Sequence, residues 1–256
     1  MSILENITPY GICGAIGFIL GIVYLIIVCK KKKLFFDDYI YIYVWAVAGA
    51  MIGAKILYIL LSLPEIMESL RKSQNIYEWI MTLLSGGFIF YGGLLGSIAF
   101  VCLASTYFKI KKGEVFKIIT PAMPLAHATV RIGCAVVGCC YGVQISHGFG
   151  IVYTKSEFAP LGVKLFPVQI VETIGNVLIF ILLISLVKRN KDGYIILKTY
   201  LVLYAVFRFM LEFLRGDQER AKWGNMSTSQ WISLIILGVV IGISLKREKI
   251  KFQKKY

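Results

Sequence analysis

Charge, proline and low-complexity sequence are all scarce in this chain of 256 residues. Charged residues make up 16% of it, against roughly a quarter in soluble domains, which argues against a water-soluble globule. Only six prolines occur, and no stretch is rich in Ser and Gly. The sequence therefore predicts one membrane-embedded unit over 1–256 without a separate soluble domain. Acidic residues number 14 against 28 Lys and Arg. No basic residue precedes the first apolar stretch, only Glu5, so that stretch reads as a retained helix and not as a cleaved signal peptide. Cysteine is present without a disulfide pattern. Cys13, Cys29, Cys102 and Cys134 lie in apolar segments, and Cys139 is too close to Cys140 for an ordinary bridge.

What the chain has is apolar length: 58% of its residues are hydrophobic and its mean hydropathy is +0.75. A bilayer core takes about 20 residues of helix. Seven segments meet that need, near 11–29, 39–63, 87–108, 115–137, 168–187, 194–214 and 229–245. The fourth is the weakest, interrupted by Pro121, Pro124, His127 and Arg131. The stretch 138–167 is too polar and glycine-rich for a simple span and reads as a structured outer loop or partial re-entry. The fold class is thus all-α, a polytopic membrane protein of about seven transmembrane helices.

The net charge of +14 raises the question of nucleic acid. Its placement excludes that class, because the lysines and arginines sit in short runs beside apolar segments, where anionic lipid and the positive-inside rule select them. Alternate connections carry 17 Lys and Arg on one side and 7 on the other. That bias predicts an outside N-terminus and a cytoplasmic C-terminus, as an odd number of spans requires.

Four basic residues remain inside the spans: Lys55, Arg131, Lys198 and Arg208. A charge at mid-membrane costs about 2.5–3.5 kcal/mol on insertion scales, so such residues are functional or paired. Lys198 lies one turn from a helix end and can snorkel. Arg131 shares a helical face with His127 and Cys134, and Arg208 one with Tyr200, Tyr204, Glu212 and Arg215. Gln169, Glu172 and Asn176 form a third polar stripe. Three stripes in one small bundle predict a shared inward cavity; the alternative is that Arg208 and Glu212 merely neutralise each other. Two guanidinium forks at that depth suit a phosphate, and the phosphate-bearing molecule at hand is a phospholipid. An enzyme could stabilise a departing phosphate this way, and a lipid-binding or transport protein could use the same pair.

Several segments then occur in an order that is itself informative. They are Pro9-Tyr10-Gly11, Gly53-Ala54-Lys55 with Tyr58, and Gly86-Gly87-Phe88-Ile89-Phe90-Tyr91-Gly92-Gly93. Arg131-Ile132-Gly133, Gly138 and Gly142, Phe166 to Glu172, and Phe207-Arg208-Phe209 with Glu212 to Arg215 follow. Over residues 9–215 this series resembles the prolipoprotein diacylglyceryl transferases of bacteria. The resemblance implies transfer of diacylglyceryl from phosphatidylglycerol to the lipobox cysteine of a prolipoprotein signal peptide. It further implies a thioether product, release of glycerol 1-phosphate, no metal or nucleotide cofactor, and residence in the bacterial cytoplasmic membrane. On this resemblance Arg131 and Arg208 would hold the phosphate and Glu212 would orient Arg208. Tyr10, Lys55, Gly92, Gly93, Gly142, Gln169 and Glu172 would bind substrate. A relative acting on another acceptor, or a non-catalytic lipid-binding or transport protein, shares these features.

Four positions depart from the family pattern. Its histidine before the paired glycines is Tyr91, its asparagine after Arg-Xaa-Gly is Cys134, and its next acidic residue is Cys139. Val130 also replaces a glycine. A free tyrosine titrates near pH 10, roughly, which makes it a weak base at neutral pH. His127 is the other candidate base, being one turn from Arg131 with a free-imidazole pKa of about 6.5; the alternative is a buried neutral ring bonded to a backbone carbonyl. His147 reads as a solvated loop residue. The thiols at 134, 139 and 140 admit three readings: small packing residues, a metal site, or a redox or acyl-carrying thiol. Their spacing lacks the paired two-residue gaps of zinc motifs and no histidine pair accompanies them, so no metal is expected.

Overall fold

The computed structural model describes residues 9–72, 75–85, 87–217 and 222–253. Gly86, 218–221 and 254–256, which enter the motif and charge readings, lie outside the described residues. The helices are α1 (Pro9–Lys32), α2 (Phe36–Leu61), α3 (Leu63–Lys72), α4 (Ile76–Ser85) and α5 (Phe90–Tyr107). They continue with α6 (Lys112–Ile119), α7 (Ala122–Val137), α8 (Val168–Lys188), α9 (Gly193–Leu211) and α10 (Thr228–Gln253). Six are long and apolar enough to cross a membrane: α1, α2, α5, α8, α9 with the 3-10 turn that follows it, and α10.

The span expected at 115–137 is divided between α6 and α7. Neither Pro121 nor Pro124 can donate a backbone hydrogen bond. Pro121 occupies the N-cap of α7 and Pro124 its first turn, where N–H groups have no intrahelical acceptor. The 16 residues of α7 rise about 24 Å, short of the roughly 30 Å of a hydrocarbon core. The connection expected at 64–86 contains α3 and α4.

Burial runs opposite to a soluble protein. Along α8, Ile174, Leu178, Ile181 and Leu182 are exposed while Gln169, Glu172 and Asn176 are buried. Ile12, Ile16, Ile19 and Val23 are likewise exposed along α1. An apolar exterior over a polar interior is stable only when the surroundings are lipid. The chain is a largely helical, polytopic membrane protein.

The described residues cluster in two compact units, one drawn from 35–115 and one from 9–34 with 116–253. The smaller is organised by the crossing of α2 and α5. Gly49 and Gly53 face Gly92 and Gly96, and a Cβ at Gly49 would lie 2.6 Å from the Gly96 carbonyl oxygen. Each such close approach excludes any side chain, the arrangement that lets membrane helices associate through backbone contact. Ile89 N–H donates to the Ala54 carbonyl (3.2 Å) and fixes the entrance of α5 on α2.

In the larger unit α7 packs between α1 and α8, with α9 and α10 following in order. Gly138 terminates α7 at φ +87°, its N–H bonded to the Cys134 carbonyl (2.9 Å), which only a left-handed residue does without strain. The stretch 138–167 is folded. Its strands β1 (Ile151–Val152) and β2 (Lys164–Leu165) pair antiparallel over a small core of Tyr153, Ala159 and Leu165. Tyr153 Oη and Ser156 Oγ donate to the carbonyls of Ala135 (2.8 Å) and Val137 (2.9 Å). The loop thereby satisfies the helix-end acceptors of α7, which have no partner within the helix. The strands β3 (Lys222–Trp223) and β4 (Met226–Ser227) form a second hairpin ahead of α10.

Candidate active site

The three polar stripes meet in the larger unit. Arg131 Nε lies 3.0 Å from His127 Nε2 and 3.1 Å from Glu172 Oε2, so its single N–H is shared between two acceptors. Arg208 reaches the same carboxylate from α9, with Nη1 3.7 Å from Glu172 Oε2. Its other nitrogen, Nη2, is 2.8 Å from Glu212 Oε2 and 3.4 Å from Ser229 Oγ. Glu172 thus bridges the two arginines, and all four charged groups are buried. Two cations and two anions balance, which is what permits such burial.

The balance leaves a donor over. Arg208 Nη1 makes no hydrogen bond among the described residues. A buried donor without an acceptor is costly unless a ligand supplies one, and a phosphate oxygen is the acceptor a guanidinium fits best.

His127 does not take the geometry of a general base. Its Nε2 accepts from Arg131, which puts the ring proton on Nδ1. The lone pair that would take a proton faces a cation. The partner is an arginine and not the backbone carbonyl considered above. The His127 ring, held against Arg131 by that bond, lies 5.5 Å from the ring of Tyr204.

Tyr10 arrives from α1. The α1–α7 approach is close at Gly133, where a Cβ would lie 3.1 Å from Tyr10 Cα, and Tyr10 lies in the electrostatic field of Arg131 and Cys134. Gln169 Nε2 donates to the Cys139 carbonyl (2.8 Å), tying α8 to the turn after α7. Gly142 lets two strand-like segments pass: a Cβ there would lie 3.0 Å from the Leu214 carbonyl oxygen, and Val143 N–H donates to that carbonyl (2.9 Å). This passage holds Arg215, whose fork binds Asp217 at 2.6 and 3.0 Å. Gln169 thus ties α8 to the turn after α7, and Gly142 sits where that turn meets the segment carrying Arg215. Ser229 and Asp217 are partners that the sequence reading lacked. Ser229 falls in a Ser-Thr-Ser-Gln run opening α10, a composition that marks helix starts.

Tyr91, Gly92, Gly93 and Lys55 belong to the smaller unit. Tyr91 is buried in the first turn of α5. Gly92 and Gly93 face α2, with Ala50 O 3.1 Å from a Cβ at Gly93, so the structure uses them for helix packing. Lys55 Nζ lies 5.3 Å from the ring centres of both Tyr58 and Phe88, close enough for cation–π attraction.

The turn after α7 gathers the three thiols. The sulfurs of Cys134, Cys139 and Cys140 all lie within 4.8 Å of one another, and Arg131 Nη1 is 3.8 Å from Cys134 Sγ. Hydrogen bonds from the Cys134 and Cys139 thiols hold the Cys140 thiol well below its ordinary range, and Arg131 and Arg215 act in the same direction.

Comparison with known proteins covers most of this frame. The family model described as prolipoprotein diacylglyceryl transferase matches residues 1–245. A phosphatidylglycerol–prolipoprotein diacylglyceryl transferase of Clostridium tetani is 35% identical over 243 residues, 92% of each chain. A second, from Finegoldia magna, is 30% identical over 253 residues, 98% of this chain and 96% of its own. A third, from Clostridium perfringens, is 33% identical over 191 residues, 75% of this chain and 72% of its own. With the matched stretch running through both arginines and every helix as far as α10, the chain belongs to the prolipoprotein diacylglyceryl transferase family.

Proposed function

We propose that this bacterial multi-pass membrane protein moves the diacylglyceryl group of phosphatidylglycerol onto the lipobox cysteine of a prolipoprotein, forming a thioether and releasing glycerol 1-phosphate. The observation that carries the reading is the pair Arg131 and Arg208 clamped by one carboxylate, Glu172, with the Arg208 Nη1 donors unused among the described residues. As the glycerol carbon–oxygen bond breaks, the departing phosphate gains negative charge. Guanidinium donors already fixed in a buried site stabilise that charge without reorganising. Glu212 and Ser229 set the Arg208 fork, and His127 sets Arg131. Tyr10 lines the site from α1; Tyr91, Lys55, Gly92 and Gly93 enter the proposal through the motifs they occupy.

The proposed topology has seven crossings, with α6 and α7 together making the fourth, an outer N-terminus and a cytoplasmic C-terminus. The bias of 17 Lys and Arg against 7 supports it. On that topology the folded stretch 138–167 lies outside the bacterial cytoplasmic membrane, on the side from which a lipobox cysteine is offered.

A second reading has its own support. Tyr91, Cys134 and Cys139 stand where the family pattern has histidine, asparagine and an acid, which favours a related transferase with a different acceptor. One experiment separates the two. The purified protein is supplied with phosphatidylglycerol and a lipobox peptide, and the peptide adduct and glycerol 1-phosphate are measured by mass spectrometry. Adduct with matching glycerol 1-phosphate supports the first reading. Glycerol 1-phosphate without adduct moves the assignment to another acceptor, and neither product refutes both.

A further inference from the structure

We propose that Cys134, Cys139 and Cys140 form a zinc site with three protein thiolates and a fourth position open to the acceptor thiol. The identity of that fourth ligand rests on the transferase reading; the metal site does not. A tetrahedral zinc with bonds of about 2.3 Å needs sulfurs about 3.8 Å apart. The three sulfurs here are all within 4.8 Å of one another without any ion, so closure asks at most about 1 Å of movement.

The backbone is built to bring them together. Cys134 lies on the last turns of α7. Gly138 at φ +87° and Cys140 at φ +57° both take the left-handed conformation and fold the chain back over that helix end. Non-glycine residues adopt it less often, though Lys33, Lys109 and Asn190 do so just after helices in this chain. Three hydrogen bonds fix the turn here. Gln169 holds the Cys139 carbonyl, Gly216 N–H donates to the Tyr141 carbonyl (3.0 Å), and Gly138 N–H holds the Cys134 carbonyl.

Charge and access fit as well. Three thiolates on a divalent ion leave one net negative charge, and Arg131 Nη1 stands 3.8 Å from Cys134 Sγ. Cys134 is buried while Cys139 and Cys140 are half-buried, which leaves a reachable side. No fourth His, Cys or carboxylate joins the group among the described residues. Three ligands and an open position are the pattern of catalytic zinc, not of structural zinc.

The open position supplies a route that His127 does not. His127 Nε2 faces the Arg131 donor, so the acceptor thiol needs another route to its nucleophilic thiolate. A thiol that displaces water from zinc loses its proton to solvent and binds as thiolate. Its sulfur lone pair then attacks the glycerol carbon, the carbon–oxygen bond breaks, and the electron pair leaves on the phosphate oxygen. The zinc keeps its oxidation state, and Arg131 borders both the thiols and the phosphate site.

The test uses full-length protein in phosphatidylglycerol nanodiscs, loaded with zinc or cobalt(II) and freed of loose metal. The expected result is about one zinc per chain, thiolate-to-cobalt charge transfer in the near ultraviolet, and tetrahedral bands in the visible. Cys139→Ser and Cys140→Ser lower zinc affinity by more than about 100-fold, beyond the effect of an outer-shell change, with elution and tryptophan emission unchanged. Cys102→Ser retains the metal. A lipobox peptide shifts the cobalt spectrum and its Cys→Ser counterpart does not. No retained metal, a disulfide among the three in anaerobically purified protein, or a spectrum indifferent to the peptide thiol would each overturn the proposal. The spectra need no turnover, so the two readings separate. Adduct formed by rigorously metal-free protein sinks the zinc site alone, and a thiol-responsive metal site without adduct sinks the acceptor reading alone.

Discussion

Replacing Arg208 by lysine keeps the charge and removes the fork. In the native site Nη2 is committed to Glu212 at 2.8 Å and Ser229 at 3.4 Å, and Nη1 has no hydrogen-bond partner among the described residues. One ammonium cannot reach both Glu212 and a phosphate, and the buried carboxylate holds it. The transition state then loses one charge-assisted hydrogen bond, about 1.5–3 kcal/mol, or roughly 10- to 150-fold in kcat/KM. Stability changes little, because Glu212 keeps a cation. Arg208→Met is different: it strands Glu212 in a buried site and costs about 3–5 kcal/mol. Adding Glu212→Leu to Arg208→Met removes the stranded charge, so most of that stability returns while transfer stays at background. Glycerol 1-phosphate release and peptide adduct are followed in phosphatidylglycerol nanodiscs, with a thermal melt of each variant alongside. A double variant that transfers at the native rate would refute the phosphate role and leave Arg208 and Glu212 as a neutralising pair.

His127→Ala lowers transfer about 10- to 100-fold by freeing Arg131. His127→Gln, which keeps an acceptor, restores most of it; equal loss in both variants would return His127 to the base. Glu172→Gln removes the shared carboxylate and costs about 3–5 kcal/mol of stability, read by melting, and an unchanged melt would contradict the bridge. Gly53→Leu drives a side chain into the α2–α5 crossing and destabilises by about 1–3 kcal/mol, read by protease susceptibility of 35–115. Tyr91→Phe lowers transfer by roughly 100-fold or more if the hydroxyl moves a proton, and a native rate removes Tyr91 from the mechanism.

The helices were legible because lipid imposes length and apolarity on each span separately, and six of the seven expected segments are helices of spanning length. The stripe Gln169, Glu172 and Asn176 was legible for the same local reason, as helical spacing alone places its members on one face. The bridge was not. That Glu172 joins Arg131 to Arg208 depends on how α7, α8 and α9 cross, which no local spacing encodes. Gly92 and Gly93 show the same limit: their motif was legible, whereas their packing against Gly53 and Ala50 depends on another helix.

The thiols show most sharply where spacing fails. Zinc motifs are read from gaps that a regular turn can close, and a helix residue followed five and six positions later by adjacent cysteines does not have them. Two left-handed residues, Gly138 and Cys140 with one residue between, reverse the chain within that distance. The glycine could announce its half of the turn; the cysteine could not, since left-handed backbone is rare outside glycine, asparagine and aspartate. The same α7 that fails as a simple span thus carries Arg131 inside the bundle and ends in the one turn that sets three sulfurs beside it. Its prolines, its short length and its buried charge have a common cause, because a helix that borders a polar site on one side and ends at a folded loop has no need to be apolar across a full bilayer.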